Sequence, residues 1–183
     1  VAEASGDPRW IDEAVATAEV LLDHFWDAER GGLFTTADDA EALVVRQKDL
    51  VDDATPSANS MAAVALARLA AVTSDRRFAE HADQIIRLLA AIGAAAPTAI
   101  PHALAAVDLR WRGMDDIVVV GDRPDLLAVA RECWRPNALI VWGKPYDAPL
   151  WHGRAPGSAY VCRDATCQLP ASDPDALRRQ LGD

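Results

Sequence analysis

The chain has 183 residues, 51% of them hydrophobic, and carries 18 basic against 28 acidic side chains for a formal net charge of −10 at pH 7. Lys48 and Lys144 are its lysines, so there is no basic stripe to neutralise a phosphate backbone, and nucleic acid is excluded as a partner. The longest apolar stretches, residues 61–67 and 88–96, are alanine-rich and fall short of the roughly 20 residues that span a bilayer, so no membrane segment is expected.

The length suits the core of one domain or of two small ones, since domains commonly run to about 100–150 residues. Asp7-Pro-Arg-Trp10 opens an amphipathic helix. Asp7 caps it, Pro8 suits its first turn, and Ile11, Ala14, Val15, Ala18, Leu21, Leu22 and Phe25 share one face up to Trp26.

A long connection follows, residues 27–56, with the turn Gly31-Gly32 and two mixed segments, 33–36 and 42–45, that read as short strands. Connections of this length are uncommon unless they do something. A helix over 59–72 places Met61, Val64, Ala65, Leu69 and Val72 at helical spacing, with Ser57 or Asn59 as its cap.

Sixty-eight residues after Asp7 the first pattern returns: Asp75-Arg-Arg-Phe78 stands for Asp7-Pro-Arg-Trp10, Ala82 for Ala14 and Leu89 for Leu21. The lead-in matches too, residues 70–74 against 2–6. In the second copy that lead-in ends a helix, so residues 1–4 read as the stub of a helix whose body is absent, and the repeat as part of a longer hairpin array. The plainer reading is that two helix starts share a common capping grammar. A fourth helix is expected over 98–111, with Ile100, Leu104, Val107 and Trp111 on one side.

After Gly113 the grammar changes. Ile117-Val-Val-Val120 is a buried strand, residues 124–134 a helix behind Asp122 and Pro124, and residues 138–142 a second buried strand, together a small βαβ unit. Residues 159–162 and 167–169 read as a hairpin or a bent strand, and an Asp173-capped helix over 174–181 closes an α/β subdomain.

Asp52-Asp-Ala-Thr-Pro-Ser-Ala-Asn-Ser60 gathers carboxylates, hydroxyls and an amide before a helix start, where unpaired backbone donors and a positive end favour an anionic or hydroxyl-rich ligand. Asp52 and Asp53 are the candidate acid and base of sugar chemistry, Ser57 and Asn59 candidate substrate contacts, and Trp26 and Trp111 candidate stacking platforms. The structural alternative is that these residues cap the helix and tie down the loop.

Cys162 and Cys167 form a C-x4-C pair that would point to opposite faces of a straight strand. They meet only if residues 163–166 turn, making a reversible disulfide or, with His152, part of a metal site; no fourth ligand is evident and no metal is assigned. Cys133 reads as a small core residue, and His24, His81 and His102 as solvated or satisfied side chains. Gly121-Asp122 follows a strand, but without G-x-G-x-x-G or a P-loop lysine it implies no nucleotide, and no cofactor is expected. Three cysteines at scattered spacing, and the lack of a basic and apolar leader at Val1, point to the cytoplasm.

The segment Asp52 to Ser60, Gly31-Gly-Leu-Phe-Thr35, Ile117-Val-Val-Val-Gly-Asp122 and above all Tyr160-Val-Cys-Arg-Asp-Ala-Thr-Cys-Gln-Leu-Pro170 resemble the C-terminal region of the spermatogenesis-associated, thioredoxin-domain-containing family. The likeness runs over nearly the whole chain in the family's order. It implies a thioredoxin-like domain ahead of an (α/α)6 toroid similar to six-hairpin glycosidases and N-acylglucosamine 2-epimerases, of unassigned biochemical role. The family pattern usually has Asn at the position of Asp53 and Gly at that of Ala58. Alanine restricts the backbone and removes close approach to a ligand, which implies an altered site at this loop.

The reading is therefore mainly α with a small α/β part: hairpins of an incomplete toroid over residues 1–112 and a βαβ-type subdomain over 113–183, the C-terminal portion of a larger protein without a complete catalytic site. Exposed faces would favour self-association, and the upstream toroid and thioredoxin-like domains are the expected partners. The competing readings are a carbohydrate isomerase, epimerase or hydrolase with a sugar ligand, and a redox-responsive module acting through Cys162 and Cys167.

Overall fold

The computed structural model describes residues 1–41, 44–132, 134–163 and 166–182. The readings made for residues 42–43, for Cys133 and for the turn residues 164–165 lie outside them. In chain order the elements are α1 (Ala2–Ser5), α2 (Arg9–Phe25), α3 (Ala58–Thr73), α4 (Arg76–Ala95), α5 (Pro101–Arg112), β1 (Asp115–Val120), α6 (Pro124–Glu132), β2 (Ala138–Gly143), β3 (Ala159–Arg163), β4 (Thr166–Cys167) and α7 (Pro174–Leu181). The fold is mainly α with a small α/β part, and no described helix is long and apolar enough to cross a membrane. The chain divides into two compact units, one of Val1–Ile11, Ala71–Thr73 and Arg112–Asp183, the other of Asp12–Ala70 and Ser74–Trp111.

In the helical unit, α3 is apolar on all sides and rich in alanine, the signature of a buried helix. Ala62, Ala63, Leu66 and Ala67 are all buried. By contrast α4 is sharply two-faced, and its stripe of Phe78, Ala82, Ile85 and Leu89 is fully buried. The helix starts follow the caps that the sequence suggests. Asp75 accepts from the Arg77 amide at 2.9 Å, and Asp7 from the Arg9 amide at 3.0 Å.

The repeat is equally visible one residue earlier. Gly6 ends α1 and Ser74 ends α3 in the same left-handed conformation, φ 69° and 60°, each donating its amide four residues back, to Ala2 and Ala70. Glycine is needed at the first of these positions because a Cβ on Gly6 would lie 3.0 Å from the ring of Trp142, a neighbour in the same unit.

Two local expectations change. Residues 33–36 do not form a strand, since Leu33 makes a single bridge with Trp26, and residues 44–45, the described part of the second expected segment, lie in a bend rather than a strand. Gly31 and Gly32, both at positive φ, turn the chain back so that Phe34 N donates to Phe25 O, after which Thr35 N turns away to Gln47 O, both at 2.8 Å. The fourth helix begins at Pro101 rather than residue 98, behind a short 3-10 turn, Pro97–Ala99. Proline at a first helical position forfeits no intrahelical bond.

The other unit is built on a four-stranded sheet of order β2-β1-β3-β4. β1 and β2 pair in parallel across α6, as the βαβ pattern requires, while β3 and β4 add antiparallel strands at the far side. Residues 117–120 of β1 are buried without interruption, so both faces of the sheet are covered there. One face packs Ile117, Val119 and Val161 against Leu126, Val129 and Ala130 of α6 and Leu177 and Leu181 of α7.

Candidate functional site

Asp52 sits where the long connection meets two helix starts. One carboxylate oxygen accepts from the Ser57 amide at 2.8 Å, ahead of α3, and the other from the His102 amide at 2.7 Å, in the first turn of α5. Burial works against the charge, but these backbone amides and the Ser60 and Ser57 hydroxyls outweigh it and hold Asp52 below the ordinary carboxylate range. A carboxylate so held is a permanent anion at neutral pH, suited to quenching the positive ends of two helices and poorly suited to donating a proton.

Its neighbours are equally engaged. Ser57 is the N-cap of α3, accepting from the Ser60 amide at 3.1 Å and donating to the Ser60 hydroxyl at 2.9 Å. Asn59, fully buried, accepts from the Leu33 amide at 2.7 Å and donates to the carbonyls of Leu33 at 3.0 Å and Asp49 at 2.8 Å. It thereby pins the Gly31-Gly32 turn to α3. The fit is tight: a Cβ on Gly32 would stand 2.5 Å from Leu88 and 2.9 Å from Asn59 Oδ1.

Asp53 points outward, with its amide donating to the Thr55 carbonyl at 3.0 Å. Trp26 lies edge-on to His81 with ring centroids 4.5 Å apart, at the turn that Asn59 fixes. Trp111 is 88% exposed and sits at the opposite end of α5 from His102, about 14 Å away along the axis. The structure thus gathers Asp52, Ser57 and Asn59 at the helix starts, leaves Asp53 on the surface and keeps Trp111 apart from them.

Cys162 and Cys167 face each other across the β3–β4 pair and are joined by a disulfide, their Cα atoms 3.9 Å apart. Two of the three cysteines are therefore paired, and the cysteine count no longer argues for a compartment. His152 stands beside Asp147, with 3.5 Å between Nε2 and the carboxylate.

Sequence reasoning passed over two polar groups. Lys48 and Asp27 form an ion pair of 2.7 Å in the long connection with both side chains only 12% exposed. Lys48 also donates to the Gly31 carbonyl. The hydrogen bond from Lys48, helped by the Glu29 and Arg30 amides against the opposing effect of burial, lowers Asp27 to about 2. The scarcity of lysine in the chain was the available signal. The second group is Arg154, whose guanidinium reaches Cys162 Sγ at 3.1 Å and Cys167 Sγ at 3.7 Å.

An exposed cluster of His24, Asp38 and Asp39 brings its ligand-type atoms within 4.8 Å of one another. Within it His24 Nδ1 is bonded to Asp38 at 2.9 Å, and that bond raises the histidine and lowers the carboxyl.

No family model matches the sequence. The chain is similar to spermatogenesis-associated protein 20 of Homo sapiens at 29% identity, and to its Rattus norvegicus and Mus musculus counterparts at 27% each, over 98% of its own length. It spans about a quarter of the length of these relatives, 25% of each. They are homologues along nearly all of the chain, in agreement with the resemblance drawn from its motifs.

Proposed function

We propose that the chain is a framework portion of a larger protein: the closing hairpins of a six-hairpin (α/α) toroid, residues 1–112, with an α/β subdomain, residues 113–183, and no complete catalytic site of its own. The observation that carries this reading is the contrast between the two copies of the repeat. On α4 the positions of Phe78, Ala82, Ile85 and Leu89 are buried, whereas on α2 the equivalent Trp10, Ala14 and Thr17 are exposed and Leu21 is half-covered. Of α2 only Ala18 is fully buried. A helix shaped like α4 yet left open along the same face is what a hairpin array shows where its next unit is absent.

The commitment of Asp52, Ser57 and Asn59 to helix starts and to the Gly31-Gly32 turn supports the second half of the proposal. Residues whose polar atoms hold backbone amides and carbonyls organise the fold, and would have to give up those bonds to hold a sugar.

Sedimentation of the isolated chain tests it. The open face of α2 is expected to drive concentration-dependent association that Ala14→Glu abolishes while the unfolding free energy stays within about 0.5 kcal/mol, the usual range for surface changes. The matching substitution in the other copy, Ala82→Glu, should prevent folding, because it buries an unpaired charge. A chain that remains monomeric at every concentration overturns the proposal.

A further inference from the structure

The Cys162–Cys167 bond has two unlike sulfurs. Cys162 is only 2% exposed, on the central part of the sheet, whereas Cys167 lies exposed on the short edge strand β4. An incoming thiolate therefore has access to one of them.

Arg154 is aimed at the pair and fastened there. Its other guanidinium nitrogen donates to the Leu150 carbonyl, its head lies 5.6 Å from the centroid of the Tyr160 ring, and the Tyr160 hydroxyl accepts from the neighbouring Ala155 amide at 2.8 Å. Asp116, in register with Cys162 on β1, adds negative charge on the same face. Burial depresses Arg154 below the ordinary guanidinium value, and Asp116 and Tyr160 only partly oppose that. A half-buried cation directed at disulfide sulfur has a weak acceptor; directed at a thiolate it has a strong one.

We propose that Cys162–Cys167 is a thiol–disulfide exchange site for a dithiol reductant, in which Cys167 is the sulfur attacked and Cys162 the leaving thiolate, received by Arg154. In the first step the reductant's thiolate bonds to Cys167 Sγ while the Cys162–Cys167 bond breaks, its electron pair passing to Cys162 Sγ. In the second, the reductant's other thiol gives up its proton and attacks its own bound sulfur. Cys167 leaves as a thiolate and the reductant departs as a disulfide. Two electrons enter the protein, and the two protons lost by the reductant are balanced by those that complete the cysteine thiols. Arg154 acts as a positioning residue that favours the reduced state, and the same contact would speed release of Cys162, since a more acidic thiol is the better leaving group.

Two measurements on the full chain test this. Brief exposure of the oxidised protein to glutathione, followed by acid quench and peptide mapping, is expected to place the adduct on Cys167. Reduction by dithiothreitol is expected to slow on the order of fivefold in Arg154→Leu and to recover in Arg154→Lys. The mapping uses the unaltered chain, so it decides the matter even where Arg154→Leu does not fold. An adduct on Cys162 or divided equally between the two cysteines, or reduction at the same rate with and without the cation, or a disulfide that resists dithiothreitol in the folded protein, overturns the proposal.

Discussion

Replacing Asp52 by alanine removes acceptors from two helix starts at once. The carboxylate accepts one amide on each oxygen, Ser57 at 2.8 Å and His102 at 2.7 Å. A hydrogen bond to a charged group contributes about 1.5 kcal/mol at the low end of its range, so the pair contributes about 3 kcal/mol. For a protein of this size, that corresponds to a melting temperature lower by about 6–12 °C. Asp52→Asn, which retains one acceptor oxygen, should lose roughly half as much.

The pH dependence has a fixed sign. The folded-state carboxyl ionises at lower pH than the unfolded one, so its contribution is complete above the ordinary carboxylate range near 4 and disappears as pH falls through the lower folded value. Urea unfolding of wild type, Asp52→Ala and Asp53→Ala at neutral pH and again near pH 3 is the assay. Asp53→Ala is expected to change little, within about 0.5 kcal/mol, because the side chain is exposed. An Asp52→Ala protein as stable as wild type, or an Asp53→Ala protein equally weakened, would refute the double-cap assignment and return Asp52 to the list of groups free for chemistry.

Two further outcomes follow from the loop. Gly32→Ala places a Cβ 2.5 Å from Leu88 at a φ of +79° and should lower stability by about 2 kcal/mol, read as a shift of the urea midpoint without change of slope. Lys48→Met removes the cation from a pair only 12% exposed and should destabilise by about 3 kcal/mol. In the same variant, an NMR titration should find the Asp27 carboxyl moved from about 2 toward its ordinary 3.8; an unmoved titration would show that the ion pair does not set it.

The helices were legible because their signals are local. Asp75 and Asp173 each hold an amide in the first turn they precede, and in both copies of the 68-residue recurrence a left-handed residue, Gly6 or Ser74, comes just before the capping aspartate. The βαβ unit was legible for a related reason: a run such as Ile117 to Val120 suits a strand covered on both faces. What could not be read depends on partners far along the chain. Whether residues 33–36 become a strand is decided by Phe25, Gln47 and Asn59, and whether Asp52 is an acid or a cap is decided by an amide fifty residues away. The direction of Arg154 toward two sulfurs needs the β3–β4 pairing and the register of β3 on β1 together, neither of which a spacing of five residues specifies.

β2 is the outermost strand on its side of the sheet, and such a rim invites pairing with a foreign chain. Here Glu3 Oε1 takes the Ile140 amide at 3.0 Å while the Glu3 carbonyl accepts from Trp142 Nε1 at 2.8 Å and Arg131 at 2.7 Å. A four-residue helical turn thus acts as a plug on the sheet, consuming the amide that a neighbouring copy would seek. Trimming those few residues would convert a guarded border into an adhesive one, with fibre-like aggregation as the result to watch for.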